Sequence, residues 1–212
     1  MGNLYLASAS PRRVELLRQV GLNPISAPSH VAETRRRGEG ARDLVLRLAR
    51  LKAASTAKLL TRRGARMGLV LGADTVVESG GRILGKPRGA TQARSMLKSL
   101  AGRAHRVHTG VCLLNLGDAV QEVQTFVETT KVFFRDLSDR EIADYVATGE
   151  PLDKAGAYGI QGAAGAFVRR IEGDYYAVVG LPLARVAEAL KCVDIKSSLS
   201  AAFPRVVKRA RI

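Results

Sequence analysis

Two kinds of apolar pattern alternate along the chain. Short continuous runs read as strands, and stripes at helical spacing read as helices. Leu4 to Ala7 is a first strand-like run. Ser10 follows as a natural N-cap with Pro11 at the first helical position. Val14, Leu17 and Gly21, widened by Leu16 and Val20, then space a helix of about ten residues. Asn23 to Gly40, with Pro24 and Pro28, predicts a loop. Ala41 to about Leu60 predicts a helix, with apolar Leu44, Val45, Leu48, Leu51 and Leu59 at helical spacing. Leu69 to Leu71 suits a buried strand, and Val76 and Val77 carry the chain toward a turn at Ser79-Gly80-Gly81. Thr91 to Leu100 reads as another helix, stopped by Gly102. Val107 to Leu116 and Val123 to Phe134 read as an antiparallel hairpin around Gly117-Asp118. Ser138-Asp139-Arg140-Glu141 is a capping box, opening a helix that ends at Gly149. Ala166 to Ile171 and Tyr175 to Val179 predict a second hairpin around Glu172-Gly173-Asp174, and Gly180-Leu181-Pro182-Leu183 opens a last helix. No internal repeat is visible.

At 212 residues, 46% of them apolar, the chain can bury a sizeable interior as one domain or as two lobes sharing a core. No apolar run approaches a membrane span, and the N-terminus lacks the basic-then-apolar pattern of a signal peptide. Two distant cysteines, Cys112 and Cys192, offer neither a disulfide framework nor zinc spacing, which fits a reducing cytosol. With 34 Lys and Arg against 19 Asp and Glu, the formal net charge is +15. From Lys191 onward six basic residues face only Asp194, so most of the excess lies on the body. A basic globule favours anions, whether nucleic acid, nucleotides or an acidic surface.

The candidate chemistry begins with Asp74, a carboxylate among apolar strand residues. Buried and ionised, it must be paired, hydrogen-bonded or bound to a metal, since alone it would cost roughly several kcal/mol. Gly72 and Ala73 leave its approach sterically open, and Gly85-Lys86-Pro87 returns a cation after the turn. The plainer reading is a turn aspartate beside a surface lysine. Arg12 and Arg13 stand where a strand feeds a capped helix start, an arrangement that favours an anion and lets each guanidinium clamp phosphate oxygens. As ordinary helix residues they would simply be solvated. Lys52 lies beside an apolar helix face, as a snorkelling side chain or a cation aimed into a cleft. The run Arg35-Arg36-Arg37 is solvated or an electrostatic lure, and Glu33 just before it says nothing by itself. His105 and His108 have no third ligand at metal spacing and read as structural. Glu150 to Gly165 carries Asp153, Lys154, Tyr158 and Gln161 among many small residues, which favours a loop whose backbone approaches a ligand over a floppy linker.

Five motifs in order complete the picture. They are Leu-Ala-Ser-x-Ser-Pro-Arg-Arg from Leu6, Gly-Ala-Asp-Thr around Asp74, Leu-Gly-Lys-Pro around Lys86, Asp-Lys-Ala-Gly-Ala-Tyr-Gly-Ile-Gln-Gly around Gln161, and Gly-Asp-Tyr-Tyr-x-Val-x-Gly-Leu-Pro around Gly180. Together they resemble the Maf family of nucleoside triphosphate pyrophosphatases, from Leu4 to about Leu190. The resemblance implies a mixed α/β fold, similar also to inosine triphosphatases, with two lobes around a deep cleft and an elongated central sheet. It implies one such domain over residues 1–193 with a basic tail over 194–212, and a homodimer. It further implies cytoplasmic hydrolysis of a nucleoside triphosphate to monophosphate and pyrophosphate with a divalent cation, Mg²⁺, Mn²⁺ or Co²⁺. The Ala-Tyr-Gly-Ile-Gln-Gly form is similar to the branch that takes dTTP and UTP. By the same match Asp74 is the catalytic acid/base, and Arg12, Thr75 and Gln161 set substrate choice. Ser8, Arg12, Arg13, Lys52 and Lys86 are expected to bind phosphate, and Glu33 and Asp74 to hold the metal. Ala164 departs from the Gln-Gly-x-Gly pattern of relatives.

Elementary chemistry is consistent with those roles. Splitting an α–β phosphoanhydride requires neutralising a polyanion and placing a water in line with the leaving pyrophosphate. Asp74 among cations is expected to have a lowered pKa, its weak basicity offset by a metal that acidifies the water. The Gln161 amide complements the O4 and N3–H edge of thymine or uracil. Two rivals stand beside this reading. One is the same reaction on a modified purine such as 7-methyl-GTP. The other is a nucleic-acid-binding module suggested by the charge, against which stand the 5% aromatic content and the lack of any RNA-binding sheet motif or zinc pattern. A dinucleotide-binding enzyme is weaker still, since no Gly-x-Gly-x-x-Gly follows the first strand and Gly85-Lys86-Pro87 is not a P-loop.

Overall fold

The computed structural model describes residues 2–191, so the basic tail over 194–212, with Cys192, lies outside the described residues. Strand β1 (Asn3–Leu6) leads into helix α1 (Pro11–Gln19), as the Ser10-Pro11 signal predicts, although the Ser10 side chain makes no capping bond. The following loop contains a two-residue strand, β2 (Ile25–Ser26), too short for a periodic signal. Helix α2 (Ala41–Arg62) precedes β3 (Gly68–Ser79), a strand that runs without interruption through Asp74. A short β4 (Arg82–Leu84) returns along it after the Gly80-Gly81 turn, both glycines at positive φ. Then come α3 (Ala90–Leu100), the long hairpin β5 (Ala104–Leu116) and β6 (Gln121–Phe134), and α4 (Asp139–Ala147) with its capping box in place. Strand β7 (Val168–Glu172), helix α5 (Tyr175–Val179) and helix α6 (Leu183–Lys191) complete the described chain.

These strands form one mixed sheet in the order β2-β1-β3-β5-β6-β7, with β4 also paired to β3. Strands β1 and β2, and β1 and β3, are parallel; the other pairs are antiparallel. The predicted mixed α/β class and long sheet are therefore present. The second hairpin is not. Tyr175 to Val179 is helical because the Asp174 side chain accepts from the Ala177 N–H at 3.0 Å and caps the turn, a local bond that outcompetes strand pairing for this valine- and tyrosine-rich segment.

Helix α2 rests on the middle of the sheet through two glycines. A Cβ at Gly72 would lie 2.8 Å from the Ala53 nitrogen and closer still to the Ala49 carbonyl oxygen. One at Gly110, the partner of Asp74 in the ladder, would strike the Val45 carbonyl. Gly72 is thus small for the helix, not to open a path to Asp74. The opposite face carries two apolar cores. Leu71, Ala73, Val111 and Leu113 pack with α1 and α6, whereas Val77, Val107 and Val132 pack with α3 and α4. Between them the ladder pair Thr75 and Thr109 interrupts the apolar stripe. On its other edge β3 has β1 as a neighbour only through Leu71 and β4 only from Val77. The sheet therefore has a gap in its edge beside Gly72–Val76, with one core on either side. A cleft of about 910 Å³ opens there.

Candidate active site

Every residue proposed from the sequence lines this one cleft: Ser8, Arg12, Arg13, Glu33, Lys52, Asp74, Thr75, Lys86 and Gln161. Because the sheet edge is open beside Asp74 and Thr75, side chains from both faces of β3 reach the same space. Asp74 is buried, and its Oδ1 accepts a 2.6 Å hydrogen bond from Lys52 Nζ. Lys52 sits on α2 between Ala49 and Ala53, the residues against Gly72, so the close helix contact is what brings the ammonium onto the carboxylate. It is a cation aimed into the cleft, not a snorkelling side chain. The same Nζ lies 2.6 Å from Glu33 Oε1. Glu33 comes from a loop tied to α2 by Arg47, whose guanidinium grips both Glu39 oxygens at 2.6 and 2.8 Å and holds that carboxyl at about 2. In the same loop Arg35 donates to the Glu39 carbonyl and lines the cleft, so the arginine run is partly built into the loop.

On the other side of β3, Arg13 is buried and largely committed. Nε donates to the Gly180 carbonyl at 2.8 Å, Nη1 to Ser8 Oγ at 3.0 Å and Nη2 to Thr75 Oγ1 at 3.1 Å. Thr75 Oγ1 also meets Thr109 Oγ1 at 2.9 Å, and Thr109 donates to the Ala177 carbonyl at 2.7 Å. A guanidinium has five N–H groups, so two are left over for an incoming anion. Sequence reasoning missed Thr109 and the Gly180 carbonyl, which belong to stretches distant in the chain. Arg12, half-buried, faces Asp153 across the cleft at 3.7 Å, whereas Lys86 and Gln161 are exposed at the mouth.

The expected pKa of Asp74 requires correction. Burial, the largest influence, lifts the carboxyl above its ordinary value; Lys52 and Arg13 pull it down, and the Glu33 charge pushes it up again. In Glu33 partial burial also works upward, but the Lys52 hydrogen bond and the charges of Lys52, Lys86 and Arg13 hold it below its ordinary value. Two neighbouring carboxyls are thus driven apart, Asp74 toward proton acceptance and Glu33 toward a permanent charge. The two histidines stand aside from this chemistry. Burial lowers His105 to about 4, leaving it neutral against Tyr158 Oη at 2.8 Å, and His108 bonds Glu78 and Thr129.

The glycine-rich segment folds as three 3₁₀ turns, at Glu150–Asp153, Ala155–Ala157 and Ala163–Phe167. Its glycines serve the loop itself more than a ligand. A Cβ at Gly159 would lie 2.6 Å from Lys154 Cε, and one at Gly162 would enter the Glu150 carboxylate. Gly156, at φ +69°, lies against Val77 and donates to the Gly85 carbonyl, joining this loop to the one that carries Lys86.

Among the described residues, no cluster of three or more His, Cys, Asp or Glu could hold a metal ion by itself. Glu33 Oε1 and Asp74 Oδ1 converge on Lys52 Nζ, each at 2.6 Å, so only the second oxygen of each carboxylate is left for a cation. Two free carboxylate oxygens make no protein-only cage; Mg²⁺ is commonly held by one or two carboxylates together with substrate phosphates, the one form in which this pair could meet a cation.

A match to the family described as Maf-like protein spans residues 3–193. The chain belongs to the Maf family. It is 50% identical over 190 residues to a protein from Salmonella typhimurium strain LT2, and 49% identical over 194 residues to one from Escherichia coli strain K12. Each alignment covers 90% of this chain and 92% of the relative, and each relative is named dTTP/UTP pyrophosphatase. The open-edged sheet and the two cores around the cleft are therefore those of a Maf protein. Among its described residues, no helix is long and apolar enough to cross a membrane.

Proposed function

We propose that this chain hydrolyses dTTP and UTP to the monophosphate and pyrophosphate, in the cytoplasm and as a homodimer. The observation that carries the reading is a buried Asp74, raised in pKa yet bonded to Lys52, at the base of a cleft lined with cations. The names of relatives half identical over nine-tenths of the chain point the same way.

In this reading Arg13, Lys52 and Lys86 receive the triphosphate, and Ser8 and Thr75 keep the Arg13 fork oriented by the bonds already described. Lys52 spends two of its three N–H groups on Glu33 and Asp74, leaving one for a phosphate oxygen. The Asp74 carboxylate accepts a proton from a water as that water's oxygen attacks the α-phosphorus of the α–β anhydride. The anhydride P–O bond breaks, and its electron pair leaves with pyrophosphate. Glu33 and Asp74 would hold a divalent cation, Mg²⁺, Mn²⁺ or Co²⁺, which when bound neutralises phosphate charge and acidifies water. Gln161, at the mouth, presents its amide to the O4 and N3–H edge of the base. Arg12 and Thr75 contribute to substrate choice, Thr75 through its hold on Arg13.

The test is pyrophosphate release from dTTP, UTP, CTP, GTP and 7-methyl-GTP, each with and without Mg²⁺. Metal-dependent turnover strongest on dTTP and UTP is expected. Turnover strongest on 7-methyl-GTP would keep the reaction and overturn the base assignment. No turnover on any of the five, with salt-sensitive retention of RNA, would overturn the reaction itself.

A further inference from the structure

Gln161 is exposed, so the direction of its amide depends on the backbone beneath it. That backbone is clamped on both sides by one pair of side chains. The Ala163 N–H donates to Glu150 Oε2 at 3.2 Å, two residues after Gln161. The Gly159 N–H donates to Tyr145 Oη at 3.2 Å, two residues before it. The two clamps are joined, because Tyr145 Oη donates to Glu150 Oε1 at 3.0 Å. Tyr145 is buried on α4, and burial pushes its phenol up, so it keeps the proton that this bond needs. Its ring packs edge-on against Phe167 at 5.1 Å between centroids, which fixes the hydroxyl from the core side. Glu150 in turn fills the space that a side chain at Gly162 would require. Tyr145 lies outside the cleft lining, and Glu150, which is on it, spends its carboxylate on Tyr145 and the Ala163 N–H and not on a phosphate-binding cation.

We propose that Tyr145 and Glu150 are positioning residues that set base selectivity by fixing the turn that carries Gln161. The inference rests on the pyrophosphatase reading given above and adds its specificity device. Loss of the clamp frees the turn on either side of Gln161, so the amide meets the pyrimidine edge in several orientations and discrimination falls. The phosphate-facing residues on α1, α2 and β3 are untouched. The expected signature is therefore a change in the ratio between bases, not a uniform loss.

The experiment compares Tyr145→Phe, Glu150→Ala and Glu150→Gln with the wild type. One readout is kcat/KM for dTTP and for CTP; the other is amide hydrogen exchange at Gly159 and Ala163. Tyr145→Phe keeps the ring against Phe167 and removes only the hydroxyl, so it carries the test even where Glu150→Ala fails to fold. Exchange at Gly159 should rise in Tyr145→Phe, and at Ala163 in Glu150→Ala. The dTTP to CTP ratio should fall about 10-fold in both. Glu150→Gln, which keeps one acceptor oxygen, should recover part of the ratio. An unchanged ratio despite faster exchange, or equal losses on both nucleotides, overturns the proposal, as does unaltered exchange. Wild-type protein inert toward every nucleotide would instead count against the pyrophosphatase reading, while the exchange measurement still decides whether the clamp orders the turn.

Discussion

The floor and the rim of the cleft are built differently. On the floor, Ser8, Arg13, Lys52, Asp74 and Thr75 are side chains of regular elements or their immediate ends, and direct bonds of 2.6 to 3.1 Å join Lys52 to Asp74 and Arg13 to Ser8 and Thr75. On the rim, Lys86 and Gln161 are exposed residues of loops and Arg12 has only a 3.7 Å ion pair, whereas Glu33, also on a loop, is held to the floor by its 2.6 Å contact with Lys52. The floor is set before a ligand arrives, so little ordering cost remains for the chemistry that every nucleoside triphosphate shares. In the function proposed above, recognition of the base falls to Gln161, whose position is fixed at second hand. Reaction and specificity should therefore respond separately to substitution.

Asp74→Asn strikes the floor hardest. The amide keeps an oxygen for Lys52, and Glu33 still balances the ammonium, so the fold should survive with kcat reduced about 1,000-fold. Wild-type-like turnover by folded protein would remove Asp74 from the chemistry. Gly72→Ala should come next. The added methyl meets backbone atoms of α2, which cannot yield as a flexible side chain would, and the expected loss of about 3 kcal/mol should lower the melting temperature by roughly 10 °C. A melting curve that overlays the wild type would show that the helix does not depend on this contact.

Gln161→Glu tests the rim. It should shift the preference among bases by about 10-fold with the melting temperature unchanged, and an unaltered substrate panel would take base reading away from Gln161. The smallest effects concern pH. Asp74 must be ionised to accept a proton, so kcat/KM should fall on acidification at a pH above 3.8, the ordinary aspartate value. Lys52→Met removes a cation that lowers Asp74 and should move this acid limb to higher pH. Glu33→Gln removes a like charge that raises it and should move the limb lower. Shifts in the opposite senses, read from pH–rate profiles, would mean that another group governs the limb.

The helices and long strands were legible because their signals are local. The apolar spacing of α2, the capping box of α4 and the turn between β5 and β6 all lie within a few residues of what they specify. The proposed site residues stood out as motifs and by charge type, and the structure gathers them in one cleft. What stayed hidden depends on contacts between distant segments. Tyr175 to Val179 has strand-like composition, and one Asp174 bond decides for helix. Gly72 reads equally well as an open approach or a packing contact until α2 is laid upon it. The sign of the Asp74 shift depends on how much burial competes with how many cations, and the nearby Lys and Arg residues counted along the sequence supply only one side of that balance.

The interrupted edge of β3 has one more consequence. A strand edge without a neighbour, as between Leu71 and Val77, is elsewhere a template on which a second chain can lengthen the sheet, the first step toward aggregation. Here that edge lies recessed between two packed cores, beside a buried ion pair and the Arg13 guanidinium. An apolar strand from another molecule would have to displace those charges to add itself. The recess that admits a small, highly charged guest therefore also refuses a peptide backbone, and the opening needed for chemistry is kept safe for solubility.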